Sequence, residues 1–159
     1  MIDPTIACFR EEFDRFFSLI EKQIDVCPDS LWKQNAGGYP FWQQMLHVIA
    51  CVELYALQEG EASRQTRYDE SVVMLSRLPQ KEMSKEDMRS LACDMKELAH
   101  AFIASQTTAS LTARHSRMSR LLGTDRTNQH ALIGLVRHAC YHLGCCDALL
   151  REHGFSGVY

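Results

Sequence analysis

Two histidines, His138 and His142, lie four residues apart in the segment LIGLVRHACYHLGCCDALLREHG, a pattern typical of one long helix. Residues i and i+4 occupy the same face of a helix, with Cβ atoms about 5–6 Å apart. Two imidazoles placed in this way can both reach one metal ion at bond lengths of about 2.0–2.1 Å. The pair therefore predicts a metal site that needs a further ligand from another element.

His47 is the candidate for that further ligand. It lies in the middle of FWQQMLHVIACVELYAL, a segment that is apolar nearly all round and is typical of a helix wrapped by other helices. A buried imidazole without a partner costs on the order of 1–3 kcal/mol, so each of these histidines needs one. A metal ion shared by His47, His138 and His142 is one solution, and a hydrogen-bonded, metal-free core cluster is the other.

Four helical patterns must position these residues. The helices are expected from about Pro4 to Val26, from Pro40 to about Gln58, from Ser84 to about Ser105, and from Asp125 or Thr127 to about His153. Cap residues and proline favour their starts, and Pro28 and Gly154 favour two of their ends. Residues 59–83, with one helical turn near Val72–Leu75, and the polar stretch before the last helix are long connections. The prediction is one all-α domain over 1–159, a four-helix bundle with long second and third connections.

Composition narrows the classes of function. Hydrophobic residues make up 46% of the chain, charged residues 23%, and the net charge is −3. The acidic balance and the lack of a basic cluster argue against nucleic-acid binding. No apolar run approaches the roughly 20 residues that a membrane span requires, and the N-terminus does not have the pattern of a signal peptide. We expect a cytoplasmic protein with no membrane or nucleic-acid partner.

The chain resembles the DinB-like (DinB/YfiT-like) superfamily over nearly its whole length. The resemblance rests on His47 in the second helix, a long gap, and a last helix that reads His138-Ala-Cys-Tyr-His142-Leu-Gly144-Cys145 and ends in ALLREHG. It implies a four-helix bundle in which His47, His138 and His142 bind a divalent ion, zinc or nickel, with positions left open. It also implies a thiol-dependent transferase, isomerase or hydrolase that uses a low-molecular-weight thiol. Tyr141 and Cys145 depart from the family pattern, which often has His and Gln there.

Other residues with reactive side chains are expected to be structural. The seven cysteines include no CxxC motif, and most lie in apolar helical pattern, which favours reduced packing residues. Cys51, one turn after His47, and Cys145, three after His142, are alternatives as a fourth ligand or a reactive thiol. His100 and His115 are expected to be exposed.

Two hypotheses follow from these residues. The first is a DinB-like metalloprotein with an open three-histidine site at His47, His138 and His142. The second is a non-catalytic bundle, with a homodimer as one of its forms, whose histidines form a metal-free core cluster.

Overall fold

The computed structural model describes residues 3–159, and it confirms the prediction of a mostly helical chain. The α-helices in chain order are α1 (Pro4–Val26), α2 (Asp29–Trp32), α3 (Phe41–Ala50), α4 (Val52–Ala56), α5 (Glu70–Val73), α6 (Lys85–Ala104), α7 (Ser116–Leu122) and α8 (Asn128–Glu152). A 3₁₀ turn covers Ser110–Thr112, and two short strands, β1 (Asn35–Ala36) and β2 (Tyr39–Pro40), form an antiparallel hairpin. None of the helices within residues 3–159 combines the length and the apolar character that crossing a membrane requires.

The long helices begin where the sequence provides a cap. Asp3 accepts a hydrogen bond from the backbone two residues on, at 2.8 Å, and Ser84 accepts one from the backbone three residues on, at 3.1 Å. Thr127 caps α8 in a reciprocal arrangement with His130. Each contact satisfies an amide that lacks a partner within the helix. The predicted starts of α1, α6 and α8 are confirmed.

The core lies between α1, α6, α8 and the α3–α4 segment. Helix α1 packs against α6 and α8, and both α3 and α4 pack against the same two helices. All ten residues of α3 are buried, as expected for a helix that other helices surround. This arrangement places the middle of α3 opposite the middle of α8.

The second predicted helix is interrupted, which corrects the expectation of one helix from Pro40 to Gln58. The Cys51 N–H still bonds to the His47 carbonyl at 2.9 Å, but the Leu54 N–H bonds back only three residues to the Cys51 carbonyl at 3.0 Å. This tighter 3₁₀-type turn separates α3 from α4. Mid-helix turns of this kind are common at functional positions.

The hairpin is a second departure from the sequence prediction, which was of an all-α chain. Its turn is made by Gly37 and Gly38, whose φ angles are +63° and +96°. A Cβ added at Gly37 would lie 3.2 Å from Cys145 Sγ and 3.3 Å from Gln44 Nε2. Glycine is required here both by the left-handed backbone and by the close approach to α3 and α8.

The long connection after α4 is anchored by a buried carboxylate. Glu53 accepts hydrogen bonds from Ser63 Oγ at 2.6 Å, from the Arg64 amide at 2.5 Å and from the Gln65 amide at 3.0 Å. The helical turn predicted near Val72–Leu75 is α5, which begins slightly earlier. The connection therefore has a fixed path that returns to α3.

Two glycines of α8 provide a matched test of this packing. A Cβ at Gly134 would lie 2.4 Å from Cε1 of the Tyr55 ring, whereas a Cβ at Gly144 would meet, within 4 Å, no atom of residues 3–159 beyond its chain neighbours and the backbone of its own helix. Gly134→Ala should lower the free energy of unfolding by about 1–3 kcal/mol, because the overpacking outweighs the gain in helix propensity. Gly144→Ala should raise it by about 0.5–1 kcal/mol.

Urea unfolding followed by circular dichroism measures both changes. Equal stabilisation by the two substitutions would contradict the close packing of Tyr55 on α8.

Candidate metal centre

The structure brings the three predicted histidines together. The ring centroids of His47 and His138 are 4.8 Å apart, and those of His47 and His142, and of His138 and His142, are each 4.6 Å apart. His47 and His142 are only 8% and 4% exposed, and His138 is half-buried. Three imidazoles from α3 and α8 thus share one small region of the core.

Gln44 fixes the orientation of His142. The Gln44 Nε2 group donates to the Ala36 carbonyl at 2.5 Å, so its Oε1 must be the end that meets His142 Nδ1, also at 2.5 Å. An amide oxygen only accepts, and therefore His142 Nδ1 carries the proton. The lone pair of this ring is then on Nε2.

The same reasoning applies to His47. Its Nδ1 lies 2.7 Å from the Val73 carbonyl oxygen, which can only accept a hydrogen bond. Nδ1 is therefore protonated and Nε2 holds the lone pair. Outer hydrogen bonds of this kind set the tautomer and the ring orientation of metal-binding histidines in general.

His138 faces His47 directly, with the two Nε2 atoms 3.0 Å apart. Because His47 Nε2 is an acceptor, His138 Nε2 must donate the proton when no ion is bound. In the other tautomer of His138, the Nε2 lone pairs of His47 and His138 point into the same space. Imidazole nitrogens arranged in this way suit a transition metal such as zinc or nickel.

Cys51 joins two of the three histidines, His47 and His138, in a group that does not include His142. The ligand atoms of His47, Cys51 and His138 all lie within 4.8 Å of one another, which is close enough to bind a metal ion. The Cys51 Sγ lies 3.5 Å from His47 Nδ1 and 4.0 Å from His47 Nε2. The sequence favoured a packing role for this thiol. Cys51 is buried, as a packing residue would be, but its sulfur also belongs to this group of possible metal ligands. Cys145, the other alternative, is half-buried and borders Gly37 of the hairpin.

Burial keeps the site neutral. Desolvation, and then the neighbouring His142 and His47, lower the pKa of His138 to about 3, and desolvation followed by His47 lowers that of His142 to about 4. Desolvation also lowers the pKa of His47, against the hydrogen bond to Val73. Desolvation, with a smaller effect of Glu53, raises the pKa of the Cys51 thiol to about 12. The imidazoles are therefore unprotonated and ready as ligands at neutral pH.

A segment that we call the strap, residues 69–77, covers one side of the centre. Gln43 Nε2 holds it by donating to the Val72 carbonyl at 3.0 Å and the Arg77 carbonyl at 2.8 Å. Leu75 has a φ of +59°, a left-handed conformation that costs a side-chain-bearing residue about 1–2 kcal/mol. Met74, next to it, is 46% exposed and lies beside Cys51. Tyr141, which is 67% exposed, packs its ring edge to face with that of His142, with the centroids 4.9 Å apart.

The remaining histidines do not join the centre. His115, expected to be exposed, is fully buried, and its ring bonds to the Tyr55 carbonyl and caps α7. The exposure of His115 was predicted wrongly because its burial depends on α6, a distant segment whose Phe102 packs against the His115 ring. His100, also expected to be exposed, is partly buried beside Asp14. Two cavities, of about 570 and 530 Å³, lie elsewhere, near Arg10 and near Lys33.

Sequence reasoning missed two of the groups that build the site. Gln44 lies three residues before His47, so helical spacing could have placed it on the same face. The Val73 carbonyl belongs to a polar connection, and no sequence pattern indicates that it returns to α3.

Comparison of the chain with protein-family models, with curated proteins and with solved structures gave no match.

The lowered histidine pKa values predict how pH affects the metal-free protein. In the unfolded chain each of these rings has the ordinary histidine pKa of about 6.5. In the folded state the pKa is lowered to about 3 for His138 and to about 4 for His142. Below about pH 6.5 the unfolded state therefore binds more protons, and the free energy of unfolding falls by up to about 1.4 kcal/mol per pH unit for each ring.

Urea unfolding between about pH 4.5 and 7 measures this slope, with His138→Gln/His142→Gln as the comparison. The double variant should show the shallower slope, because glutamine does not titrate. Parallel slopes for the two proteins would contradict the neutral, buried state of these rings.

Proposed function

We propose that the chain is a DinB-like protein whose His47, His138 and His142 hold a divalent transition metal, zinc or nickel, in an open site. The observation that carries the proposal is the hydrogen bonding of Nδ1 in two of the rings. The Val73 carbonyl and Gln44 Oε1 accept hydrogen bonds from Nδ1–H of His47 and His142, which puts the lone pair of each ring on Nε2. Such outer partners commonly accompany metal-binding histidines.

The arrangement of the long helices supports the family assignment. Helices α1, α6, α8 and the α3–α4 segment fit the four members of a bundle, with α3 and α8 facing each other across its core. In helix bundles, metal sites are built from side chains on facing helices. His47 on α3 and the His138–His142 pair on α8 have this relationship.

The chemistry that we propose is that of a thiol-dependent transferase, isomerase or hydrolase. A divalent ion held by three neutral imidazoles keeps its charge and lowers the pKa of a thiol or water in an open position. The chain itself supplies the orientation of the rings through Gln44 and the Val73 carbonyl. The half-buried His138 lies where the centre borders solvent, on the side from which a low-molecular-weight thiol could approach.

One observation favours a second candidate function, a metal-free structural or binding module. The contact of 3.0 Å between His138 Nε2 and His47 Nε2 satisfies both nitrogens without an ion. In that case the cluster serves the packing of α3 on α8, and bound metal adds nothing to the stability of the fold.

Metal content distinguishes the two functions. The full chain, purified without an affinity tag, should contain about one equivalent of zinc or nickel, and a chelator should lower its melting temperature because bound metal stabilises the folded state. Alanine at His47, His138 and His142 should abolish the metal, whereas His100→Ala, on α6, should retain it. Metal content below a few tenths of an equivalent, together with an unchanged melting temperature in chelator, would support the metal-free module instead.

The role of Gln44 is tested against Gln23, which is equally buried and makes hydrogen bonds to the Leu143 carbonyl and to Asp147. Truncating either side chain removes buried hydrogen bonds and should cost a similar free energy of unfolding. Only Gln44→Ala should weaken zinc binding, by roughly 10–100-fold, because it frees the His142 ring to turn. Isothermal titration with zinc measures the affinities. Equal zinc affinities for the two variants would argue against the positioning role of Gln44.

A further inference from the structure

Two sulfur atoms lie beside the histidines. Cys51 Sγ is 4.0 Å from His47 Nε2, and Met74 Sδ is 4.0 Å from Cys51 Sγ. His138 Nε2 is 3.0 Å from His47 Nε2. We call these four side chains the sulfur–imidazole cluster: His47, Cys51, Met74 and His138.

The spacing of this cluster is close to that of ligands around one ion. With bonds of about 2.0 Å to nitrogen and 2.3 Å to sulfur, tetrahedral ligand atoms lie roughly 3.3–3.6 Å apart. The ligand atoms of His47, Cys51 and His138 all lie within 4.8 Å of one another. Shifts of the order of 1 Å, within reach of side-chain rotation, would bring the atoms to a common ion.

Both sulfurs are carried by irregular backbone. Cys51 lies at the break between α3 and α4, and the thioether of Met74 belongs to the strap, next to the left-handed Leu75. An unstrained strap would not need this conformation at a leucine. The hydrogen bonds from Gln43 and His47 to the strap hold Met74 over the buried thiol. A thioether that is half exposed but fixed at this point is well placed to act as an outer ligand.

We propose that the sulfur–imidazole cluster binds Cu(I). Thiolate and thioether ligands select soft ions, and two imidazoles with one thiolate and a weak methionine form a set that copper favours. When the ion binds, a Cu–S bond replaces the S–H bond of Cys51, whose proton passes to solvent. The proton of His138 moves from Nε2 to Nδ1 by exchange with solvent, which leaves the Nε2 lone pair to bind copper. Copper remains Cu(I), and no electron is transferred. The site shares His47 and His138 with the proposed divalent centre but does not require His142 as a ligand.

The test is an anaerobic titration of the full chain with Cu(I) in competition with bicinchoninate, a chromophoric Cu(I) chelator. Cys51→Ser should lower the Cu(I) affinity by more than about 100-fold, beyond the range of an outer hydrogen-bond loss. Met74→Leu should lower it by about tenfold, as expected for a weak ligand. Cys145→Ser and Met118→Leu, the latter at a buried position of α7, remove a thiol and a thioether outside the cluster and should bind Cu(I) as the unaltered protein does.

X-ray absorption at the copper edge identifies the elements bound to copper in a protein that retains Cys51 and has its exposed thiols, Cys8, Cys93 and Cys140, replaced by serine. A sulfur shell around copper in this protein supports the proposal, and a shell of nitrogen and oxygen alone overturns it. This measurement decides the outcome if Cys51→Ser does not fold. A folded Cys51→Ser variant, judged by circular dichroism, that binds Cu(I) with unchanged affinity also overturns the proposal.

Zinc titration of the same proteins separates this inference from the proposed function. Cys51→Ser should leave zinc affinity within about twofold if zinc uses the three histidines alone. Zinc binding that fails in the unaltered protein, while Cu(I) binding depends on Cys51, would remove the divalent centre and keep the copper site. Zinc binding in the unaltered protein, without Cu(I) binding that depends on Cys51, would keep the divalent centre and remove the copper site.

Discussion

The amide of Gln44 is the constraint on which the centre depends. Its two ends are chemically different, and the Ala36 carbonyl can only take the donating end. The oxygen is thereby directed to His142, whose proton must be on Nδ1. Ala36 is held by the hairpin whose turn needs Gly37, so a left-handed glycine on the surface determines, through two hydrogen bonds, which nitrogen of a buried ring is free.

Burial in the core and metal binding both require these histidines to be neutral. Taking imidazoles out of water lowers their affinity for protons, and each ring also lowers that of its neighbours. A neutral imidazole in the core has one unprotonated nitrogen, whose lone pair can bind a metal ion. The desolvation that would make a charged cluster unstable therefore prepares this one to act as a set of ligands, and little proton release need accompany binding to the nitrogens.

Sequence reasoning predicted the helix starts and the pairing of His138 with His142 because both depend on short-range patterns. Asp3, Ser84 and Thr127 cap helices by contacts within two or three residues, and helical spacing alone puts His138 and His142 on one face. The break at Cys51, the burial of His115 and the return of Val73 to His47 depend on contacts between distant segments. Such contacts leave no periodic pattern in a single sequence, which is why the strap was predicted as a connection with one helical turn and not as a cover of the centre.

The strap contributes both a carbonyl and a sulfur to the neighbourhood of the centre, yet it is among the least regular parts of the chain. Three hydrogen bonds from Gln43 and His47 hold it to α3, and Val72 is its one fully buried side chain. Segments held in this way open locally at a free energy well below that of global unfolding. Amide hydrogen exchange in the strap would thus report the opening of the centre while α1, α6 and α8 stay protected, and an ion could enter or leave through that opening with the helical core intact.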